Sequence, residues 1–488
     1  MKDSWQTYYR SRLMTAEVAA AKITDGARVN IPLFGATTVP KALWARRDSL
    51  RGVELCMSSP PSDPGWFRGE PSEAFDLEME VFIGDIARDA HYEGRAPYLP
   101  NLMSYKFKAH DEERAEVQDA DVAIVLCSTP NEAGYVHFGL QHWFKRSLVE
   151  RTRFCIAEID PTLFKACGDV FVHVSEFDCF VENSPVDIRP DLVEAEIAKA
   201  EPDRQATMRQ LISEMSDEQR RAVLRVVPFI EPDDLRRRMR LHAPSAEDEA
   251  IARHLEPLIR DGDCIQIGTG DPSSQMIKLG VFDKKRDLGV HTEMVAPGIG
   301  RLWRDGVVTG KRKNQYAEKV IGTSWAGADR EDLEIMSDNP AFELHDSSWV
   351  LHVPRIAAND RQVSMNNGIS IDLTGQITCE TIVGGMMLNG TGGQPENHLG
   401  AFMSKGGRAI TLLRSTAMSG AISRVVAEHE PGTMVTIPRF FADTVISEFG
   451  VARLLGLNHR KRADALIAIA HPDHRDGLRK AARQKFGV

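Results

Sequence analysis

A glutamate closes an apolar stretch in the run Gly289-Val290-His291-Thr292-Glu293-Met294. Upstream lies a glycine-broken strand-to-helix turn, Ile265-Gln266-Ile267-Gly268-Thr269-Gly270-Asp271, and downstream a glycine cluster, Asn389-Gly390-Thr391-Gly392-Gly393-Gln394. A carboxylate at the end of a buried strand, facing loops of bare backbone amides, suits covalent chemistry at a carbonyl. Against a thioester, a carboxylate oxygen forms a mixed anhydride when the site excludes water and stabilises the oxyanion. The returning thiolate then leaves a glutamyl thioester. Backbone N–H groups hold an oxyanion or a pyrophosphate, and glycine lets them approach closely.

Most glutamates cap helices or sit in salt bridges, and His-Thr-Glu-Met alone is a short signal. Its place between two amide-rich loops is what marks Glu293 as a candidate nucleophile. Gly268-Thr269-Gly270 is a lone GxG. The run from Gly384-Gly385 through Gly390, Gly392 and Gly393 is denser than a strand or helix tolerates, although a plain structural turn stays open for each single glycine.

These loops must be positioned by strands, and the chain supplies them twice. Thr15-Ala16-Glu17 opens a helical pattern that ends at Ile23-Thr24-Asp25-Gly26; a strand through Val29 and Ile31 follows, then the turn Phe34-Gly35-Ala36-Thr37-Thr38. In the second half Ser245-Ala246-Glu247 opens a helix with Ile251, Leu255, Leu258 and Ile259 on one face, kinked near Pro257. It ends at Asp261-Gly262, and a strand through Ile265 and Ile267 again meets a glycine turn. The apolar run 120–126, typical of a strand covered on both faces, is echoed in the second half by the run from Val363. Strands alternating with helices predict two related, open, mostly parallel α/β domains. Between them residues 201–245 carry eight acidic residues and nine arginines, a near balance that reads as a solvated helical connector. A capping box is expected at Ser216-Asp217-Glu218-Gln219, with Pro228 and Pro232 breaking the helix. The domains are expected at 1–235 and 236–488.

The 488 residues, 42% hydrophobic with a net charge of −10, fit a globular protein of two or three domains and argue against nucleic-acid or anionic-membrane partners. No apolar run approaches the ~20 residues of a membrane span, and the N-terminus lacks the apolar core of a signal peptide. The seven cysteines form no C-x-x-C pair, so free thiols in a reducing cytoplasm are expected. No metal site is expected: His471-Pro472-Asp473-His474 has no zinc spacing. Gly306-Val307-Val308-Thr309-Gly310-Lys311 is one residue short of a P-loop, and no G-x-S-x-G occurs.

The glutamate and its loops resemble the acetyl-CoA hydrolase/transferase family of coenzyme A transferases, which includes 4-hydroxybutyrate CoA-transferase. So do Thr129-Pro130-Asn131-Glu132-Ala133-Gly134-Tyr135, Ile156-Ala157-Glu158-Ile159-Asp160-Pro161, Asp372-Leu373-Thr374-Gly375-Gln376, Ser415-Thr416-Ala417, Ser447-Glu448-Phe449-Gly450 and Ala470-His471-Pro472-Asp473. The resemblance implies two CoA-transferase-type domains, Glu293 as nucleophile, and Gly392, Gly393, Gln394, Gly268 and Gly270 as oxyanion and CoA contacts. It also implies coenzyme A as co-substrate with no permanently bound cofactor, and a homodimer or higher homo-oligomer. Three functions stand open: transfer of CoA from an acyl-CoA to a carboxylic acid, hydrolysis of acyl-CoA on the same scaffold, and acyl-CoA binding without catalysis. The chain departs from the family at Val295-Ala296-Pro297, at Pro395-Glu396-Asn397-His398 and at Pro272, which bears on the acyl group. For the acid, the expected pocket is Phe34, Gly35, Thr37 and Trp66 in the first domain. These offer no cation, so a monocarboxylate with an apolar body is expected over a diacid.

Overall fold

Each half of the chain opens on a capped helix that feeds a central strand. The computed structural model describes residues 4–487 apart from 34, 69, 184–185, 216, 225–226, 228–229, 240–241, 326–329 and 383. In the first half α1 (Ala16–Ala20) is N-capped by Thr15, whose hydroxyl accepts the Val18 N–H. Gly26, at φ +69, turns the chain into β1 (Arg28–Ile31). The same sheet holds β2 (Val53–Met57), β3 (Phe75–Glu80), β4 (Tyr98–Leu99), β5 (Val122–Cys127) and β6 (Phe154–Ile159). The next strand, β7 (Cys167–Gly168), leaves this sheet, and β8 (Cys179–Glu182) returns to it. The order is β8-β6-β5-β1-β2-β3-β4, all parallel. A second helix, α2 (Thr38–Trp44), starts at the carboxyl end of β1.

Four helices follow, α3 (Pro190–Ile197), α4 (Pro202–Ser213), α5 (Asp217–Val223) and α6 (Pro232–Arg238). They bury Ile197, Met208, Leu211, Ile212, Met215, Val223, Val227 and Leu235 against one another, so the segment read as a solvated connector holds a small core of its own. Pro232 begins α6, where a missing N–H costs nothing, rather than ending a helix. The expected cap residue Ser216, and Pro228, lie outside the described residues.

The second half repeats the opening. α7 (Ala246–Leu255) carries a capping box between Ser245 and Asp248, Pro257 turns its end into a 3-10 segment, and Gly262 at φ +74 leads into β9 (Cys264–Ile267). Then come β10 (Gly289–His291), β11 (Val320–Gly322), β12 (Phe342–Leu344), β13 (Gln362–Asn367), α8 (Gln394–Met403), β14 (Arg408–Leu412), β15 (Thr444–Ser447) and β16 (Gly450–Arg453). The sheet runs β16-β15-β14-β13-β9-β10-β11-β12-β7, parallel except for the β15–β16 hairpin. Seven strands of each sheet follow one order: the first strand of the half lies centrally between the second and the fifth. The registers agree as well, with Val29 flanked by Leu55 and Val122, and Ile265 by Val290 and Val363. The run 120–126 and the run from Val363 are the corresponding strands β5 and β13, as their sequence echo suggested.

The halves are stitched together. β7, from the first half, adds to the far edge of the second sheet, pairing Cys167 with Glu343 and Gly168 with Leu344. A buried cluster of first-half residues, among them Val125, Trp143 and Phe144, includes Met294 and Leu351 from the second half.

Candidate active site

Glu293 leaves the carboxyl end of β10, where open α/β sheets leave space for ligands. Its backbone is fixed on both sides: Thr292 N–H donates to Ile321 O, and Glu293 O accepts the N–H groups of Thr323 and Ser324 at 2.8 and 3.2 Å. Two residues earlier His291 is buried and its Nε2 faces Val350 O at 2.8 Å. Burial, with Lys313 nearby, pushes that imidazole down to about 3. It is neutral and serves as a strut.

The Glu293 side chain is 9% exposed and turns toward the N-terminus of α8. Oε2 accepts the Gly393 N–H at 2.9 Å, while Oε1 has no hydrogen-bond partner among the described residues. A Cβ on Gly393 would lie 2.7 Å from Glu293 Oε2, and one on Gly392 would lie 3.2 Å from Oε1 and 2.6 Å from Phe82 Cζ. The glycine pair is therefore set by how closely backbone and carboxyl approach. Burial raises Glu293 to about 8; the Gly393 amide opposes the shift and the nearby Glu396 carboxyl adds to it. Glu396, in the first turn of α8, is raised by burial to about 7 and is held by Ser104 of the first half, whose N–H and hydroxyl both donate to its Oε1 at 2.9 Å.

The first half supplies the opposite wall. β3 ends in a tight turn in which Phe82 N–H donates to Glu80 O at 2.6 Å and Val81 sits at φ +60. A β-branched residue there is strained, and such strain persists where the surroundings enforce it. Here Asn389, which opens the glycine cluster, accepts the Ile83 N–H at 2.7 Å through Oδ1. Phe82 is thereby pressed against Gly392, and its ring meets Trp143 edge-on at 6.1 Å. Phe82 and Trp143, packed with Met294 and Leu351 of the second half, make this an apolar wall.

The other residues singled out from the sequence fall in two groups. Gly268 and Gly270 lie at the carboxyl end of β9, one strand from β10. Gly268 N–H already donates to Met365 O at 2.8 Å. Asn367 joins this loop to the glycine cluster, accepting the Ser273 N–H through Oδ1 at 2.9 Å and the Gln394 Nε2–H through its backbone oxygen at 3.0 Å. Gln394 is thus held to the fold. The residues of the expected acid pocket are held by the first sheet and its loops. Thr37 N–H donates to Glu158 Oε1 at 2.9 Å, Gly35 packs over Pro32, and Trp66 is buried in the first sheet's core, edge-on to Phe75 at 6.0 Å. Phe34 lies outside the described residues. Among the described residues no hydrogen bond or ring contact joins Gly35, Thr37 or Trp66 to Glu293. The residues that do reach the site from the first half, Phe82 and Ser104, carry no motif; the one signal is the short Val81-Phe82-Ile83-Gly84 run closing a strand whose apolar residues alternate with acids.

The Acetyl-CoA hydrolase/transferase N-terminal domain matches residues 1–190, and the C-terminal domain of the same name matches residues 330–482. The 4-hydroxybutyrate coenzyme A transferase of Clostridium kluyveri is 30% identical over 487 residues, covering 99% of this chain and 100% of that protein. The chain belongs to the acetyl-CoA hydrolase/transferase family. The succinyl-CoA:cyclohexane-1-carboxylate CoA transferase of Geobacter metallireducens is 29% identical, covering 99% of this chain and 98% of its own length. Among solved structures, RipA from Yersinia pestis superposes with a TM-score of 0.78 at 25% identity, over 99% of this chain and all of that one. A 4-hydroxybutyrate CoA-transferase from Porphyromonas gingivalis gives 0.69 at 24% identity over 99% and 100%, a likeness of fold. Family members thus share these two α/β domains. Among the described residues no group of His, Cys, Asp and Glu could hold a metal ion, and no helix is long and apolar enough to cross a membrane.

Proposed function

We propose that this protein is an acyl-CoA:carboxylate CoA-transferase in which Glu293 is the covalent nucleophile. The observation that carries the reading is a buried carboxyl with one oxygen on the Gly393 amide and the other without a partner. In its ionised form an oxygen of Glu293 attacks the thioester carbonyl carbon, the C–S bond breaks, and CoA leaves as thiolate. The product is a mixed acyl–glutamyl anhydride. The thiolate then attacks the Glu293 carbonyl carbon and the first acid departs as carboxylate, leaving a glutamyl-CoA thioester. An incoming carboxylate reverses both steps and takes the CoA. The Gly393 N–H is placed to stabilise the oxyanion that forms on Glu293, an effect worth on the order of 3 kcal/mol for one such donor.

The wall of Phe82, Trp143, Met294 and Leu351 supports an acid rather than water as acceptor, because it leaves little for water to bind beside the intermediate. It also favours an apolar monocarboxylate: a second carboxylate against this wall would be buried without a partner, at a cost of roughly several kcal/mol. Following the family resemblance, coenzyme A is a co-substrate and the working unit a homo-oligomer. The test is to incubate the protein with one acyl-CoA with and without added carboxylic acids. New acyl-CoA appearing in proportion to the added acid supports transfer. Release of free CoA at a rate no acid alters identifies a hydrolase, and a diacid outperforming every monocarboxylate overturns the acyl preference.

A further inference from the structure

The residue that stands in the first half where Glu293 stands in the second is Ser58. Leu55 pairs with Val29 as Val290 pairs with Ile265, and three residues beyond each come Ser58 and Glu293. Ser58 is buried, and its hydroxyl accepts the Phe82 N–H at 3.2 Å. Its neighbour Ser59, at φ +38, donates its N–H to Phe82 O at 2.8 Å. The strand end that carries the nucleophile in one half therefore carries, in the other, the support for the turn packed against the glycine cluster.

From the other side the turn is held by one short strap of the second half, residues 387–393. Met387 is buried in the core of the first sheet. Asn389 Oδ1 accepts the Ile83 N–H at 2.7 Å and the Gly84 N–H at 3.5 Å across the cleft, and the Gly390 N–H of its own loop at 3.0 Å. A Cβ on Gly390 would run into Val81 O and the Tyr98 hydroxyl, so the strap lies directly on the turn. Gly392 meets the Phe82 ring, and the Gly393 N–H ends the strap on Glu293 Oε2. There is no slack between the turn and the nucleophile. The turn itself is under load: Val81, buried and β-branched, is kept at φ +60, a conformation it leaves readily once its restraints are cut. A shift of about 1 Å in a positioning group can cost on the order of a hundredfold in rate.

We infer that Asn389 is a positioning residue that makes the bulk of the acid count in turnover rather than in binding. An acid that fits against Phe82 leaves the turn, Asn389 and the Gly393 amide aligned on Glu293; one that displaces Phe82 draws the strap and moves that amide. The inference rests on the CoA-transferase reading. Its test measures kcat and KM for monocarboxylates of increasing bulk with one acyl-CoA donor, in wild type, Asn389→Ala, Asn389→Asp and Val81→Gly. In wild type the spread across the series should lie mainly in kcat. Asn389→Ala, which frees the Ile83 N–H, should lower kcat for the preferred acid at least tenfold and narrow the spread in kcat to about threefold. Asn389→Asp keeps an oxygen for Ile83 and should restore most of both. Val81→Gly, which removes the load, should narrow the spread as well. An Asn389→Ala protein that keeps the wild-type spread in kcat overturns the inference, as does equal loss in the alanine and aspartate variants. If Asn389→Ala does not fold, an unchanged spread in Val81→Gly overturns it. Failure of the transferase reading looks different: wild type incubated with acyl-CoA then carries no CoA adduct on Glu293. An adduct on Glu293 with a spread confined to KM sinks the role of Asn389 alone.

Discussion

Two buried glutamates occupy the carboxyl ends of the two sheets and are treated in opposite ways. Glu158, at the end of β6, receives backbone N–H groups on both oxygens: Thr37 and Thr38 at 2.9 Å on Oε1, and Thr38 and Val39 at 3.0 and 2.9 Å on Oε2. It closes the N-terminus of α2 and is fully satisfied. Glu293 receives one N–H and leaves its other oxygen bare. Burial alone does not distinguish a structural carboxylate from a reactive one. The number of donors aimed at it does, because each donor that stabilises the ground-state carboxylate also weakens it as a nucleophile.

The largest expected effect follows from exchanging oxygen for nitrogen at the bare site. Glu293→Gln should lower turnover by at least about 10³-fold, on the order of 4 kcal/mol of transition-state stabilisation, with the fold intact. The same variant should melt higher than wild type near pH 8. A carboxyl raised in the folded state contributes stability below its unfolded value near 4.5 that is lost as pH rises through about 8, and glutamine has no such loss. Thermal melts of both proteins at pH 5 and pH 8 check this: the gap should open at the higher pH. Glu158→Ala should do the reverse, costing roughly 3 kcal/mol of stability by orphaning buried amides while the folded fraction keeps its activity per molecule. Denaturant unfolding with active-site titration would separate the two behaviours; a Glu158 variant that is stable but inactive would dissolve the contrast.

A smaller effect tests the neighbour. Glu396→Gln keeps an oxygen for Ser104 to bond but removes the charge that adds to the effect of burial on Glu293. The acid limb of kcat/KM, governed in wild type by a group near 8, should move to lower pH by less than about one pH unit. An unmoved limb would remove Glu396 from the account. Least of all, Trp66→Phe should leave the order of preferred acids as it is, since that ring packs in the first core, whereas Phe82→Ala should shift it toward bulkier acids.

What the sequence reveals divides along the same line. The repeated opening of the two α/β halves and the nearness of Glu293 to the glycine cluster are both legible, because each depends on local patterns: a capped helix feeding an apolar run, a carboxylate at a strand end, and glycines too dense for regular structure. The opposite wall is not legible. Ser104 reaches Glu396 across 292 residues of chain, and Asn389 reaches Ile83 across 306, contacts that exist only once the two sheets are docked. Trp66 and Phe82 are both aromatic residues in loops, and nothing in their neighbours states which one turns into a core and which toward a carboxyl. The charged connector hides its core for a related reason: its apolar residues are few, and they become a core only when four short helices meet.

The central claim is covalent, so it is tested most directly by covalent capture. The protein is incubated with an acyl-CoA in the absence of acceptor, quenched, digested and examined by mass spectrometry. A CoA adduct on the peptide containing Glu293, absent from Glu293→Gln and discharged by added carboxylic acid, is the predicted result. Turnover that proceeds with no adduct at Glu293, or an adduct on another residue that survives Glu293→Gln, would contradict it.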